Sequence, residues 1–220
     1  MLRRRLALAC LLLPALPAGA QQQRFVPQPL AESPALLGRL RQGGLVLFFR
    51  HADTSGEPCD RSFRLGDRDG QRNLSQVGRQ QARRIGAALA EAKIPIADPI
   101  LAGPVFRARD TAELAFGARR VMVTEALLAD DYSAGRLDQL VLEHRRLFSA
   151  APPPGANRVL VGHRTPAIMA VGEAIAGQAF PEGAALVIEP RGSGPDAWDY
   201  QVLGIVMPAP IPGGGFHRCQ

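Results

Sequence analysis

The feature that most constrains this chain is the run Leu45-Val46-Leu47-Phe48-Phe49, preceded by Gly43-Gly44 and ended by Arg50-His51. Five large apolar residues in succession leave no polar face. Such a run reads as a strand covered on both sides, as in a parallel sheet clothed by helices. It stops on a permanent cation beside an imidazole. In open α/β sheets ligands sit outside the carboxyl ends of strands, so chemistry is expected where this strand ends.

The rest of the chain repeats that plan. Pro34 to Gln42 carries Leu36, Leu37 and Leu40 at helical spacing and is stopped by Gly43-Gly44. Ser75 is a good N-cap for a helix over Gln76 to Lys93, with Val77, Ala82, Ile85, Ala88 and Leu89 on one face. Strands are expected at Pro99 to Ala102, Val121 to Val123 and Arg158 to Val161. Helices are expected from Pro104 to about Phe116, over residues 134–149, and from Thr165-Pro166 to about Ala176. Ala184 to Ile188 and Asp199 to Val206 read as late strands forming an edge pair. Strands alternating with helices predict an α/β fold, a three-layer α/β/α sandwich around a mostly parallel open sheet. A length of 220 residues suits one such domain.

The two ends read differently. Residues 1–20 are expected to be a signal peptide: Arg3-Arg4-Arg5, a short apolar core from Leu6 to Leu13, and the small-residue cleavage site Ala18-Gly19-Ala20. That core is too short for a membrane span, and no other stretch of the sequence is long and apolar enough for one. A periplasmic or secreted location follows, with cleavage after Ala20. Residues 21–34 read as a linker or N-terminal arm, 35–207 as the domain, and the Pro- and Gly-rich 208–220 as a flexible tail. After cleavage Cys59 and Cys219 remain, an even count that permits a disulfide in an exported protein. Net charge is +6 and pI about 10.2, but nearly all the basic residues are Arg and only 5% of residues are aromatic. No basic helix face interleaved with aromatics points to nucleic acid.

Residues 53–74 form a long loop with few apolar residues, and long loops in compact domains are usually functional. It holds Arg61, Arg64, Arg68 and Arg72, with Asp60, Asp67 and Asp69. Arg61 and Arg64 are candidate substrate contacts. Elsewhere, Arg50 and His51 follow the first strand, Arg107 opens the helix after the second, and His163 follows Val159-Leu160-Val161-Gly162. A parallel sheet would bring these strand ends to one edge. Two imidazoles, two guanidiniums and a helix N-terminus make an anion site. A neutral histidine among arginines suits nucleophilic attack on phosphorus, with the cations neutralising phosphate charge and no metal or cofactor required.

Four segments, in order, resemble the histidine phosphatase superfamily in its phosphoglycerate mutase-like branch. Arg50-His51-Ala52-Asp53-Thr54 resembles the family's Arg-His-Gly-x-Thr signature. Asn73 to Ala82 resembles its Leu-Ser/Thr-x-x-Gly-x-x-Gln-Ala helix start. Gly103 to Ala112 resembles its Ser-Pro-x-x-Arg-Ala-x-x-Thr-Ala segment, and Val161-Gly162-His163 its second histidine. The resemblance implies a phosphoglycerate mutase-like fold and a phosphomonoesterase in which His51 becomes phosphorylated. Arg50, Arg107 and His163 would line the phosphate pocket, and Thr54 would add a hydroxyl. It places the general acid after the third strand, where Asp130 is the nearest match and Asp131 and Glu125 stand behind it. Arg164, directly after the second histidine, argues against the phytase-like branch. Gly103 stands where Ser is usual. The Asn that often follows the first motif in mutases is missing, and this with the export signal disfavours a mutase. Cys59-Asp60-Arg61-Ser62 is similar to a short stretch of exported lipopolysaccharide core heptose phosphate phosphatases. The expected partner is a phosphorylated small molecule or envelope phosphate ester, with the oligomeric state undetermined. The competing reading is a catalytically silent phosphate- or polyanion-binding module on the same fold.

Overall fold

The computed structural model describes residues 24–192 and 199–217. The expected signal peptide, Trp198 and Cys219 lie outside the described residues.

The central strand is β2 (Val46–Arg50), every residue of it buried. Its neighbours are β5 (Arg158–Gly162), parallel to it, and β6 (Ala185–Pro190), antiparallel. β3 (Ile100–Ala102) and β4 (Val121–Val123) extend the sheet in parallel beyond β5. On the other side β7 (Tyr200–Met207) pairs antiparallel with β6, and the two-residue β1 (Gln28–Pro29) closes the edge parallel to β7. The order is β1-β7-β6-β2-β5-β3-β4. Only β6 runs against the others, so the sheet is mostly parallel as expected. The expectation of a late edge pair is corrected: β6 lies inside the sheet, and β1 covers β7. The continuous apolar run Ala184 to Ile188 is fully buried, which is what a strand covered on both faces requires.

Side chains alternate across β2 and so divide the core. Leu47 and Phe49 face α1 (Pro34–Gln42), α2 (Gln76–Glu91) and α3 (Phe106–Phe116), packing with Leu40, Ile85, Leu89, Ala108 and Ala112. Val46 and Phe48 face α4 (Leu137–Ser149) and α5 (Arg164–Val171), packing with Val141, Leu147, Phe148, Ala167 and Ala170. Each fully buried large side chain contributes roughly 1.5–3 kcal/mol. His144 belongs to this second layer. It is fully buried against Phe48 and Phe148, and its Nδ1 lies 2.8 Å from Leu140 O. Burial pulls its pKa down to about 4, so it is a neutral core residue.

The parallel strands β2, β3 and β5 point their carboxyl ends the same way. His51, Gly103 and His163 therefore emerge at one edge, where His51 N donates to Gly162 O and Gly103 N to Val161 O.

Candidate active site

His51 and His163 face each other with ring centroids 5.6 Å apart, and each is only 3% exposed. His51 Nδ1 lies 2.9 Å from Ala52 O. A carbonyl only accepts, so Nδ1 carries the proton and Nε2 keeps its lone pair. Burial first, then the charges of Arg107, Arg50 and His163, hold the His51 pKa well below the usual imidazole range. Burial and Arg107 do the same to His163. Both rings are neutral at physiological pH.

The motif residues around His51 have mechanical roles that the structure makes explicit. Asp53 O accepts from Ser75 N at 3.1 Å, Asp53 Oδ1 accepts from the Ser75 hydroxyl at 2.6 Å, and the same hydroxyl caps α2 by accepting from Gly78 N at 2.9 Å. A Cβ at Gly78 would stand 2.0 Å from Asp53 O, so only glycine lets α2 approach the loop after His51 this closely. Gln81 Oε1 accepts from Asp53 N at 2.9 Å. Thr111 Oγ1 accepts from Ala52 N at 2.9 Å and donates to Arg107 O at 2.7 Å, tying α3 to the turn after His51. Gly103 admits no side chain, because a Cβ would fall 2.2 Å from Leu127 O. It would also stand 3.6 Å from His163 Nε2.

Arg50 and Arg107 are buried, and the charges of both act on His51 and His163. Arg50 donates from Nη1 to Phe180 O and Gly215 O, each at 3.1 Å, and from Nη2 to Glu182 Oε1 at 3.1 Å. Burial lowers its pKa to about 10, with Glu182 opposing the shift. Arg107 Nη1 meets both oxygens of Asp60 at 3.1 and 3.2 Å, while Asp60 Oδ1 also accepts from Tyr132 Oη at 2.6 Å and Arg72 N at 2.8 Å. Among the described residues, Nε of Arg50, Arg72, Arg107 and Arg164 and Nε2 of His163 are buried without a hydrogen-bond partner in the chain. Unpaired buried donors are costly. This set can hold an anion with the geometry and charge of a phosphate.

Arg50, His51, Arg107 and His163 thus come together as the sequence suggested. Thr54 is also there, 1% exposed, but its hydroxyl donates to Glu182 Oε1 at 3.0 Å and its N–H to Glu182 Oε2 at 3.1 Å. It organises Glu182 rather than presenting a free hydroxyl. Arg61 and Arg64 are exposed, and Arg61 Nη2 is bound to Asp69 O at 2.8 Å. From the same loop it is Arg72 whose charge reaches Arg50, Arg107 and His163. Asp130 opens a short 3-10 turn, Asp130–Tyr132. Its neighbour Asp131 feels Arg107, Arg72 and Asp60. Although Asp131 reaches solvent, partial desolvation and then the like charge of Asp130 hold it above the usual carboxylate range. Glu125 is exposed, pairs with Arg136 at 3.5 Å, and lines a separate cavity of about 360 Å³ with Ser133 and Glu143.

Glu182, Asp60 and Tyr132 escaped sequence reasoning. So did the packing of the segment from Pro208 to His217, read from sequence as a flexible tail, against the site. Gly215 O accepts from Arg50, and His217 Nε2 lies 2.6 Å from Asp53 Oδ2. A useful signal was the presence of Glu182 and Gly183 just before a continuous apolar strand, where a charge has to be paired. Cys59 is disulfide-bonded, and the pairing with Cys219 that the sequence permits lies outside the described residues. Among the described residues, Asp53, Glu182 and His217 bring their ligand atoms within 4.8 Å of one another. The carboxylates are already engaged: Asp53 with Ser75 and His217, Glu182 with Arg50 and Thr54. No helix of the described residues is long and apolar enough to cross a membrane.

The family profile described as the histidine phosphatase superfamily (branch 1) matches residues 46–163. The chain belongs to that superfamily. No curated protein matches it. Among solved structures, it is similar to the protein histidine phosphatase SixA complexed with tungstate, at 17% identity and a TM-score of 0.51, covering 74% of this chain and 97% of the other. It is also similar to mycobacterial glucosyl-3-phosphoglycerate phosphatase, at 16% identity and a TM-score of 0.47, covering 73% and 97%. The first likeness supports the phosphoglycerate mutase-like fold.

Proposed function

We propose that this chain is an exported, metal-independent phosphomonoesterase working through a phosphohistidine on His51. The export part rests on the N-terminal sequence. The observation that carries the chemistry is the His51 tautomer: Nδ1 is committed to Ala52 O, so an unprotonated Nε2 stands among buried cationic donors without partners.

In the first step the Nε2 lone pair attacks phosphorus, forming a P–N bond while the ester P–O bond breaks. Arg50, Arg72, Arg107 and His163 stabilise the charge on the phosphoryl oxygens. The departing oxygen takes a proton from a carboxyl group, and we assign that role to Asp131, which feels Arg107 and Arg72 and is held above the usual carboxylate range by partial desolvation and Asp130. In the second step the Asp131 carboxylate takes a proton from water. The resulting hydroxide attacks phosphorus, and the P–N electron pair returns to Nε2. The products are the alcohol and inorganic phosphate. The substrate class is a phosphorylated small molecule or an envelope phosphate ester.

The test is turnover of an aryl phosphate by the mature chain in excess chelator, with rapid acid-free quenching to trap labelled protein. Wild type should turn over and yield acid-labile phosphate on His51. His51→Ala should lose at least about 10³-fold in rate, as for loss of other covalent nucleophiles. Retention of more than a few per cent of activity in His51→Ala, or loss of wild-type activity on chelation, would refute the mechanism.

A further inference from the structure

The C-terminal segment makes contacts that the reaction scheme does not use. At Gly213 and Gly215 φ is 67° and 119°, left-handed values that glycine adopts without strain. A Cβ on Gly215 would stand 2.6 Å from Pro181 Cβ, so the segment is pressed onto the stretch bearing Glu182. Gly215 O accepts from Glu182 N at 2.9 Å and from Arg50 Nη1 at 3.1 Å. The Phe216 ring lies 5.2 Å from Arg50 Cζ and 5.7 Å from Arg164 Cζ. His217 Nε2 reaches Asp53 Oδ2 at 2.6 Å, and Asp53 is itself buried next to the nucleophile. Upstream, Gln81 Nε2 donates to Ala209 O at 3.1 Å while Gln81 Oε1 holds Asp53 N.

The donors of Arg50 show what this achieves. A guanidinium has five N–H donors in a fixed plane. Both on Nη1 are taken, by Phe180 O and Gly215 O, and one on Nη2 by Glu182. Nε is buried without a partner in the chain and can donate to a phosphate oxygen. Without Gly215 O, one Nη1 donor would be unpaired and the plane would lose a restraint on its rotation. Phe216 adds a second restraint. Arg50 and Arg164 repel each other, and the negative face of one ring attracts both.

We infer that Gly215, Phe216 and His217 are positioning residues of the phosphate pocket: they orient Arg50, hold Arg164 beside it, and latch the tail to Asp53. The tail is a working wall of the pocket, and its residues strengthen phosphate binding through Arg50. This rests on the His51 pocket being the phosphate site.

The experiment measures competitive inhibition by inorganic phosphate, with thermal denaturation in parallel, on the full mature chain and on Phe216→Leu, His217→Ala and His217→Gln. Leu keeps apolar bulk without a π face, and Gln keeps a neutral donor for Asp53. Phe216→Leu and His217→Ala should each weaken phosphate binding by about tenfold, and His217→Gln should stay within about threefold of wild type. The melting temperature should change little in Phe216→Leu and His217→Gln, and fall by a few degrees in His217→Ala, which leaves Asp53 Oδ2 unpaired. Unchanged phosphate binding in Phe216→Leu and His217→Ala, with wild type binding normally, would overturn the inference alone. Equal losses in His217→Ala and His217→Gln would overturn the latch. A wild-type chain that does not bind phosphate would overturn the reading of the site and the role of the tail together.

Discussion

Replacing Glu182 by Gln tests whether the pocket is assembled as described. The Glu182 side chain is fully buried and that of Arg50 is 8% exposed, so the ion pair has almost no solvent to fall back on. Gln has the same size. Its Oε1 can still accept from Arg50 Nη2 and Thr54 Oγ1, but its NH₂ then faces the Thr54 N–H, which now donates to Glu182 Oε2 at 3.1 Å. Two donors would confront each other, and flipping the amide only moves the conflict to Arg50. Leaving a buried polar group unpaired costs about 1–3 kcal/mol, and breaking a buried ion pair by removing one partner about 3–5 kcal/mol. The effects overlap, so about 3–5 kcal/mol is expected in total. At about 2–4 °C per kcal/mol for a domain of this size, the melting temperature should fall by roughly 6–20 °C. Activity should fall as well. Arg50 would remain a cation but lose the acceptor that fixes its plane, and loss of one preorganised electrostatic donor typically costs about 10²–10³ in rate. Thermal denaturation and kcat/KM on an aryl phosphate read the two effects separately. Thr54→Val in the same background should add less than it does alone, since both act on one network. A melting temperature within about 2 °C of wild type, with kcat/KM unchanged, would show that Glu182 does not organise Arg50.

The remaining predictions concern protons. Asp131→Asn should slow alkyl phosphates by roughly 10²-fold or more, the size of lost acid catalysis, and aryl phosphates with good leaving groups much less. If Asp130→Asn shows that pattern instead, the acid is Asp130, and equal losses for both leaving groups would remove either from the role. Stability should also depend on pH through the buried histidines. His51, His144 and His163 have folded pKa values below the ordinary imidazole value, so between the two values the unfolded chain binds more protons and stability rises with pH. The contribution is complete above about pH 6.5 and is lost as pH falls toward the folded values. For His144, lowered to about 4, this is on the order of 3 kcal/mol. Melting temperatures should be level above about pH 7 and decline below about pH 6.5, and His144→Phe should flatten part of that decline. An unchanged slope in the variant would show that His144 titrates normally in the folded state.

Local pattern carried the sequence reading as far as neighbours along the chain can inform one another. The apolar run 45–49 ending in Arg50-His51 announced a covered strand with a functional end. The Ser75 cap and the period of α2 were equally legible, because a cap and a helical face need only residues a few positions apart. Asn73 to Ala82 and Gly103 to Ala112 could be placed beside the site through resemblance. Their physical tasks became visible only when Ser75, Gly78 and Gln81 were seen closing on Asp53, and Thr111 on Ala52. The direction of each loop side chain was not legible. Arg61, Arg64 and Arg72 look alike in sequence, yet the first two are exposed and Arg72 turns toward Arg107, a choice made by how the loop folds over α3. Glu182 and Gly215 lie 132 and 165 positions from the Arg50 they bind. Such partners are selected by where β6 inserts beside β2 and where the tail crosses the sheet edge. His51 and its strand were therefore determined by local sequence. The setting of Arg50, the commitment of Thr54 and the wall made by Phe216 and His217 were decided by tertiary structure, because hydrogen bonds and ion pairs act over a few ångströms and only the closed fold brings those atoms within reach.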